Sequence, residues 1–254
     1  RIWLVGDAGK LKNGRNIQLE YLKKLNLLDN NSTVLFLGDN IYPTGLPDSQ
    51  ARHYDERKSA LDQQVALVSN TGATAYFIPG NHDWLEGKAT GWKQLLNQYR
   101  YVQSLQLPNV HFVPENACPG PVEVSLNEKT TLVIMDTQWW LQQNDRPGVN
   151  SDCECKNEDE IIGRLKDIVY RNRGKLLLFA AHHPFKTYGP HGGYFNLRQH
   201  VFPLTEINEN LYIPLPGLGS LYPMLRGTFG NIQDLKHPEY KDMIAKLDEV
   251  LAQH

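Results

Sequence analysis

LFLGDNIYPTGLPD, residues 35–48, runs from an apolar, strand-like segment straight into Asp39, Asn40 and Tyr42, with two prolines and two glycines around them. A strand ending this abruptly has two readings. The first is a turn: Gly38, Asp39 and Asn40 tolerate the backbone angles of a loop, and Pro43 fixes the chain as it leaves. The second is a site, with a carboxylate, an amide and a phenol gathered past one strand end. The stretch alone does not choose between them, so the other strand ends have to be read beside it.

Ile2–Val5, Thr33–Leu37, Thr74–Ile78, Thr131–Met135 and Lys175–Ala180 are short apolar runs of the kind buried on both faces of a parallel sheet. Helical spacing recurs between them, in Ile17, Tyr21, Leu25 and Leu28, in Tyr54, Leu61, Val65 and Val68, in Trp92, Leu95, Leu96 and Tyr99, and in Ile161, Ile162, Leu165 and Ile168. Strand alternating with helix predicts an α/β fold. Val110–Val113 and Val122–Leu126 break the rhythm and read as extra strands, with a second sheet as one place for them. Asn150 to Glu160 reads as a polar, acidic loop, and Glu239 to Leu251 as a last helix.

Composition narrows the partners. The 254 residues are 41% hydrophobic, enough for a substantial core as one domain spanning 1–254. Twenty-six basic against 28 acidic residues leave a net charge of −2, so no polybasic field marks nucleic acid as the main partner. No apolar run of membrane-spanning length is present in the sequence. Nothing in it sets an oligomeric state. Of Cys118, Cys153 and Cys155, a disulfide from Cys118 to either of the others and three unpaired thiols are both open readings.

The strand ends answer the opening question. The first strand runs into Gly6-Asp7-Ala8-Gly9, the second into Gly38-Asp39-Asn40-Ile41-Tyr42, the third into Pro79-Gly80-Asn81-His82-Asp83 and the fifth into Ala181-His182-His183-Pro184. In open α/β sheets ligands bind outside the carboxyl ends of the strands, so four such ends converge on one crevice if the strands are neighbours. Carboxylates, an amide, imidazoles and a phenol form a mixed oxygen and nitrogen set suited to iron, manganese or zinc.

GDAG, GDNIY, GNHD and AAHHP, in this order, resemble the calcineurin-like metallophosphoesterases, and most closely their purple acid phosphatase branch, over roughly Ile2 to Pro184. The resemblance implies a four-layer α/β/β/α sandwich and a binuclear metal-dependent phosphoesterase hydrolysing phosphomonoesters by attack of a metal-activated hydroxide. Carried over by position, Asp7 and Tyr42 would bind the first metal, Asp39 would bridge both, and Asn81 and His182 would bind the second. His82 would contact the phosphate or protonate the leaving oxygen, with Asp83 orienting its ring; its other reading is a cap on the following helix. The catalytic set is then His82, Asp39 and Asn81. His183 and His191 are substrate-side candidates, each with a plain loop histidine as its alternative.

Two departures from the family pattern matter. Relatives carrying Asp-x-His at the first motif supply an imidazole that Asp7-Ala8-Gly9 lacks, and Tyr42 offers a phenol instead; a phenolate suits a ferric ion, which implies Fe paired with Fe, Zn or Mn. The other reading of Tyr42 is packing against Pro43. The family's Gly-His-x-His motif, one ligand for each metal, is absent from the 254 residues, so the domain is expected to lack its last strands in this chain. A phosphodiesterase or pyrophosphatase of the same family, and a binding domain without turnover, remain as alternatives. Residues 185–236, with Tyr188, Tyr194, Phe195, Arg198, Tyr212, Tyr222 and Arg226, read as a lid, an insertion or a satellite core, and Trp139 with Trp140 as a rim or as packing. The resemblance further implies an extracytoplasmic place, whether secreted, periplasmic or membrane-associated through segments outside this chain, and a small phosphorylated substrate.

Overall fold

In the computed structural model, which describes residues 1–206 and 210–254, β1 (Ile2–Val5), β2 (Thr33–Phe36), β3 (Thr74–Phe77) and β4 (Val110–Phe112) pair side by side in that order, all parallel. Each buries alternate residues on opposite faces. On one face Phe36 stacks on Phe77, with ring centroids 4.4 Å apart, and Phe77 on Phe112 at 6.5 Å. On the other face Leu35, Ile78 and Val113 pack against Leu132, Ile134 and Ala180 of a second sheet.

That second sheet contains β5 (Val122–Asn127), β6 (Thr130–Ile134) and β7 (Leu176–Ala180), with β5–β6 antiparallel and β6–β7 parallel. The extra strands therefore part company: β4 extends the first sheet, whereas β5 joins the strands over 131–135 and 175–180 in the other. Helices α1 (Ile17–Leu25) and α2 (Tyr54–Val68) flank the outer face of the first sheet, where Leu22, Leu25 and Leu67 share a small pocket with Trp3, Val5 and Val34. Helix α3 (Gly91–Ser104) packs beside β4. On the outer face of the second sheet Thr131 Oγ1 donates to Asn172 Oδ1 at the end of α5 (Glu158–Arg171), 2.8 Å away. The layers are α/β/β/α, as expected. Every fully buried aliphatic or aromatic side chain between them contributes about 1.5–3 kcal/mol, so the two sheet faces dominate the stability of this unit.

Two elements differ from the sequence reading. The acidic stretch to Glu160 stops being a loop at Glu158, because Asn157 accepts the N–H of Glu160 and three acids occupy the positive end of α5. A short helix α4 (Thr137–Leu141) follows β6, capped by Asp136 and buried along its whole length, so Trp139 and Trp140 are packing residues. The disulfide joins Cys118 to Cys153 and leaves Cys155 free and buried. Closing 35 residues of chain separation stabilises the fold by about 3–4 kcal/mol in the loop-entropy model.

The chain separates into two compact units, Arg1–His183 with Gln253–His254, and Pro184–Ala252. The second is helical, with α6 (Leu197–Val201), α7 (Leu221–Phe229) and α8 (Pro238–Leu251). Its polar centre is Asp234, which takes both Arg226 Nε and Nη2 at 2.9 Å, the N–H of Asn231 at 2.9 Å and His191 Nδ1 at 2.9 Å. Arg198 lies over the Tyr212 ring, 4.8 Å from its centroid. Residues 207–209, inside the segment read as a lid or insertion, lie outside the described residues. No described helix is long and apolar enough to cross a membrane.

Candidate metal centre

Asp7 and Asp39 each follow a glycine at a strand end, and both stand in the left-handed region, at φ 54° and 56°. A short polar side chain tolerates this conformation, and here each carboxylate reaches a neighbouring loop, Asp7 Oδ1 to the Tyr42 hydroxyl and Asp39 Oδ1 to the His82 N–H at 2.9 Å. The two loops are tied together, since Asp7 N–H donates to Gly38 O at 3.2 Å and Gly9 N–H to Asp39 O at 2.9 Å. Gly80, past β3, comes so close that a Cβ there would lie 2.3 Å from Asp39 N and Oδ1. Gly38, at φ 91°, similarly leaves room for the His182 ring.

The side chains meet in two clusters. Tyr42 donates its hydroxyl to Asp7 Oδ1 at 2.6 Å and to Asp39 Oδ2 at 2.7 Å. His182 Nε2 lies 3.0 Å from Asn81 Oδ1 and 3.5 Å from Asp39 Oδ1. Asp39, 2% exposed, sends one oxygen into each cluster. Because β7, which leads to His182, lies in the second sheet while Leu37, Asp39 and Asn81 follow β2 and β3 of the first, the convergence runs between the two sheets rather than along one of them.

The donor chemistry of both clusters fits cations. His182 Nδ1 is 2.8 Å from Leu37 O, which only accepts, so Nδ1 carries the proton and Nε2 presents a lone pair. That lone pair faces an amide oxygen and a carboxylate oxygen, Asp39 Oδ1, which already accepts the His82 N–H at 2.9 Å, so neither oxygen offers it a proton. In the other cluster a single phenolic hydrogen serves two carboxylates. Burial, then the charge of Asp39 and the bonds to Asp7 and Asp39, pushes the Tyr42 phenol above its usual pKa. Adjacent ligands on an octahedral ion at ~2.1 Å stand about 3 Å apart, close to the spacings found in both clusters. Among the described residues no three His, Cys, Asp or Glu side chains are disposed to hold one ion, so each cluster depends on its phenol or its amide.

The remaining sequence candidates fall in different places. His82 joins the Tyr42 ring at 4.2 Å between centroids, and its Nε2 is 3.8 Å from Asp39 Oδ2. Asp83 does not orient that ring, a correction to the expectation. It is fully buried, and its carboxylate accepts the N–H groups of Gly80 at 2.8 Å, Ile41 at 3.1 Å and Asn40 at 3.2 Å, clamping the second and third loops together. Burial and the neighbouring Asp39 charge raise its pKa, while those N–H groups oppose the shift. His183 is 6% exposed, with Nδ1 2.8 Å from Thr137 Oγ1 and its ring edge-on to His182, which makes it a support for that ring rather than a group open to a substrate. His191 belongs to the second unit, on Asp234.

Sequence reasoning missed Asp136. It caps α4 by accepting the N–H groups of Gln138 and Trp139 and accepts Trp84 Nε1 at 2.7 Å, fixing the residue that follows Asp83; burial pushes its pKa up to about 8 against these three N–H donors. An acid directly before a five-residue helix is its only local signal.

A family model of calcineurin-like phosphoesterases matches residues 1–227. No curated protein matches the chain. With a match over most of its length, and with oxygen and nitrogen donors gathered at the strand ends that the family's chemistry requires, the chain belongs to the calcineurin-like phosphoesterases, metal-dependent hydrolases that generally use a binuclear centre.

Proposed function

We propose that this protein is an acid phosphatase of the purple type, hydrolysing phosphomonoesters. Tyr42 carries the reading: its phenol lies between Asp7 and Asp39 within 2.7 Å of both. Asp7 and Tyr42 would hold the first ion, Asn81 and His182 the second, and Asp39, with one oxygen in each cluster, would serve both. The hard phenolic donor favours iron at the first position, with iron, zinc or manganese at the second. When bound, the pair of ions lowers the pKa of a water, neutralises phosphoryl charge and aligns an in-line displacement.

The chain's own residues do the rest. Asp39 keeps the two clusters at one carboxylate's span. His82, on the open side of Asp39 with a side chain 21% exposed, contacts the phosphoryl group or the leaving oxygen. The Asp83 carboxylate holds the loops carrying Asn40 and Gly80 in register. The Cys118–Cys153 disulfide supports an extracytoplasmic, oxidising location.

Asp39→Asn tests the assignment. In metal-supplemented assays on an aryl phosphate the variant should lose at least about a hundredfold in kcat and most of its bound metal, with an unchanged circular dichroism spectrum. Wild-type turnover in that variant removes the two-ion reading.

A further inference from the structure

The segment after His82 is bent in an unusual way. Leu85, Glu86 and Gly87 stand in succession in the left-handed region, at φ 54°, 53° and 80°. For leucine and glutamate this conformation is costly and persists only where the surroundings impose it. Three backbone bonds impose it here: Leu85 N–H to His82 O at 3.0 Å, Glu86 N–H to Asn81 O at 2.8 Å and Gly87 N–H to Trp84 O at 3.1 Å.

The turn folds Glu86 back onto His82. Its Oε1 lies 3.6 Å from His82 Nδ1, and Pro43 O approaches the same nitrogen at 2.6 Å. Both neighbours are acceptors, so Nδ1 carries the proton and Nε2 is turned toward Asp39. The other Glu86 oxygen meets Lys88 Nζ at 3.3 Å, but the Lys88 side chain is 63% exposed and such a pair contributes too little to account for two strained residues.

We propose that Glu86 is the positioning residue for His82: Pro43 O accepts the Nδ1–H, and the left-handed turn holds the Glu86 carboxylate 3.6 Å from the same nitrogen, where its charge keeps the proton on Nδ1 so that Nε2 faces the phosphoryl group over Asp39. The inference rests on the phosphomonoesterase reading of this same site.

The test compares wild type with Glu86→Gly and Lys88→Met as metal-loaded full chains. Glycine adopts the left-handed conformation at no steric cost, so Glu86→Gly should melt at the wild-type temperature or above. Its kcat on an aryl phosphate should nevertheless fall about tenfold with KM within about twofold. Lys88→Met should keep wild-type kcat. In the metal-free protein the His82 Nδ1–H proton resonance, sharp in wild type, should broaden or exchange faster in Glu86→Gly. Wild-type kcat in Glu86→Gly, a loss reproduced by Lys88→Met, or an unchanged Nδ1–H signal would each overturn the inference. Absence of hydrolysis by loaded wild type strikes the phosphomonoesterase reading instead, and the resonance then decides the role of Glu86 by itself.

Discussion

Tyr42 carries the proposed function in one side chain. Its hydroxyl is a donor to two carboxylates, and burial with that negative surrounding keeps the proton on oxygen. A ferric ion placed among the same oxygens reverses the preference, since the local field is then set by the cation. Iron-loaded, oxidised protein should accordingly show a visible phenolate-to-iron charge-transfer band, and Tyr42→Phe should abolish it with iron still bound. The variant should lose only about tenfold in kcat, less than Asp39→Asn, because on the proposed assignment Tyr42 serves one ion and Asp39 two. Identical spectra from tyrosine and phenylalanine proteins at equal iron content would remove Tyr42 from the ligand set.

Among the elements, the strand ends matter more than the strands. Three loops are interlocked by contacts that leave no room for a methyl group, and Asp83 holds the second and third by accepting their N–H groups. Gly80→Ala tests this directly. Its new Cβ would overlap Asp39 N and Oδ1 at 2.3 Å, and the backbone on both sides has no slack to yield. The expected cost is about 1–3 kcal/mol of stability together with a larger loss of metal and turnover, because the displaced group is the carboxylate proposed to serve both ions. Thermal unfolding and metal analysis of one preparation measure both. Retention of full metal content would show that the close approach is not what sets Asp39.

Across the whole molecule, both units bury carboxylates, and Asp234 in the second has a defined pH signature. Burial alone would raise the Asp234 pKa, but the bonds from His191, Arg226 and Asn231 outweigh it and hold it down at about 2, below the ordinary 3.8. A depressed carboxylate stabilises the fold above its unfolded pKa and loses that contribution as pH falls through the folded one, so the window lies between about pH 4 and 2. The difference corresponds to roughly 2 kcal/mol. Asp234→Asn should therefore unfold more easily than wild type at pH 6, and the gap should close as pH approaches 2; a gap independent of pH would refute the assignment.

By itself the sequence determined the alternation of strand and helix, the order of the four strand-end motifs and the donor types each carries. Those signals are local: apolar runs of four or five residues, each followed within a few positions by Asp7, Asp39, Asn81 or His182. Tertiary structure decided the rest. Sheet membership of Val110–Phe112 and Val122–Asn127 depends on pairing and on burial between faces, which short apolar runs do not encode. Both Asp83 and Glu86 lie near His82 in sequence. Only the folded backbone, with Asp83 surrounded by three loop N–H groups and Glu86 turned back by left-handed dihedrals, determines which carboxylate meets the imidazole. The pairing of Cys118 with Cys153 rather than Cys155, and the division of the Asp39 oxygens between two clusters, follow from distances across the chain that the order of residues leaves open.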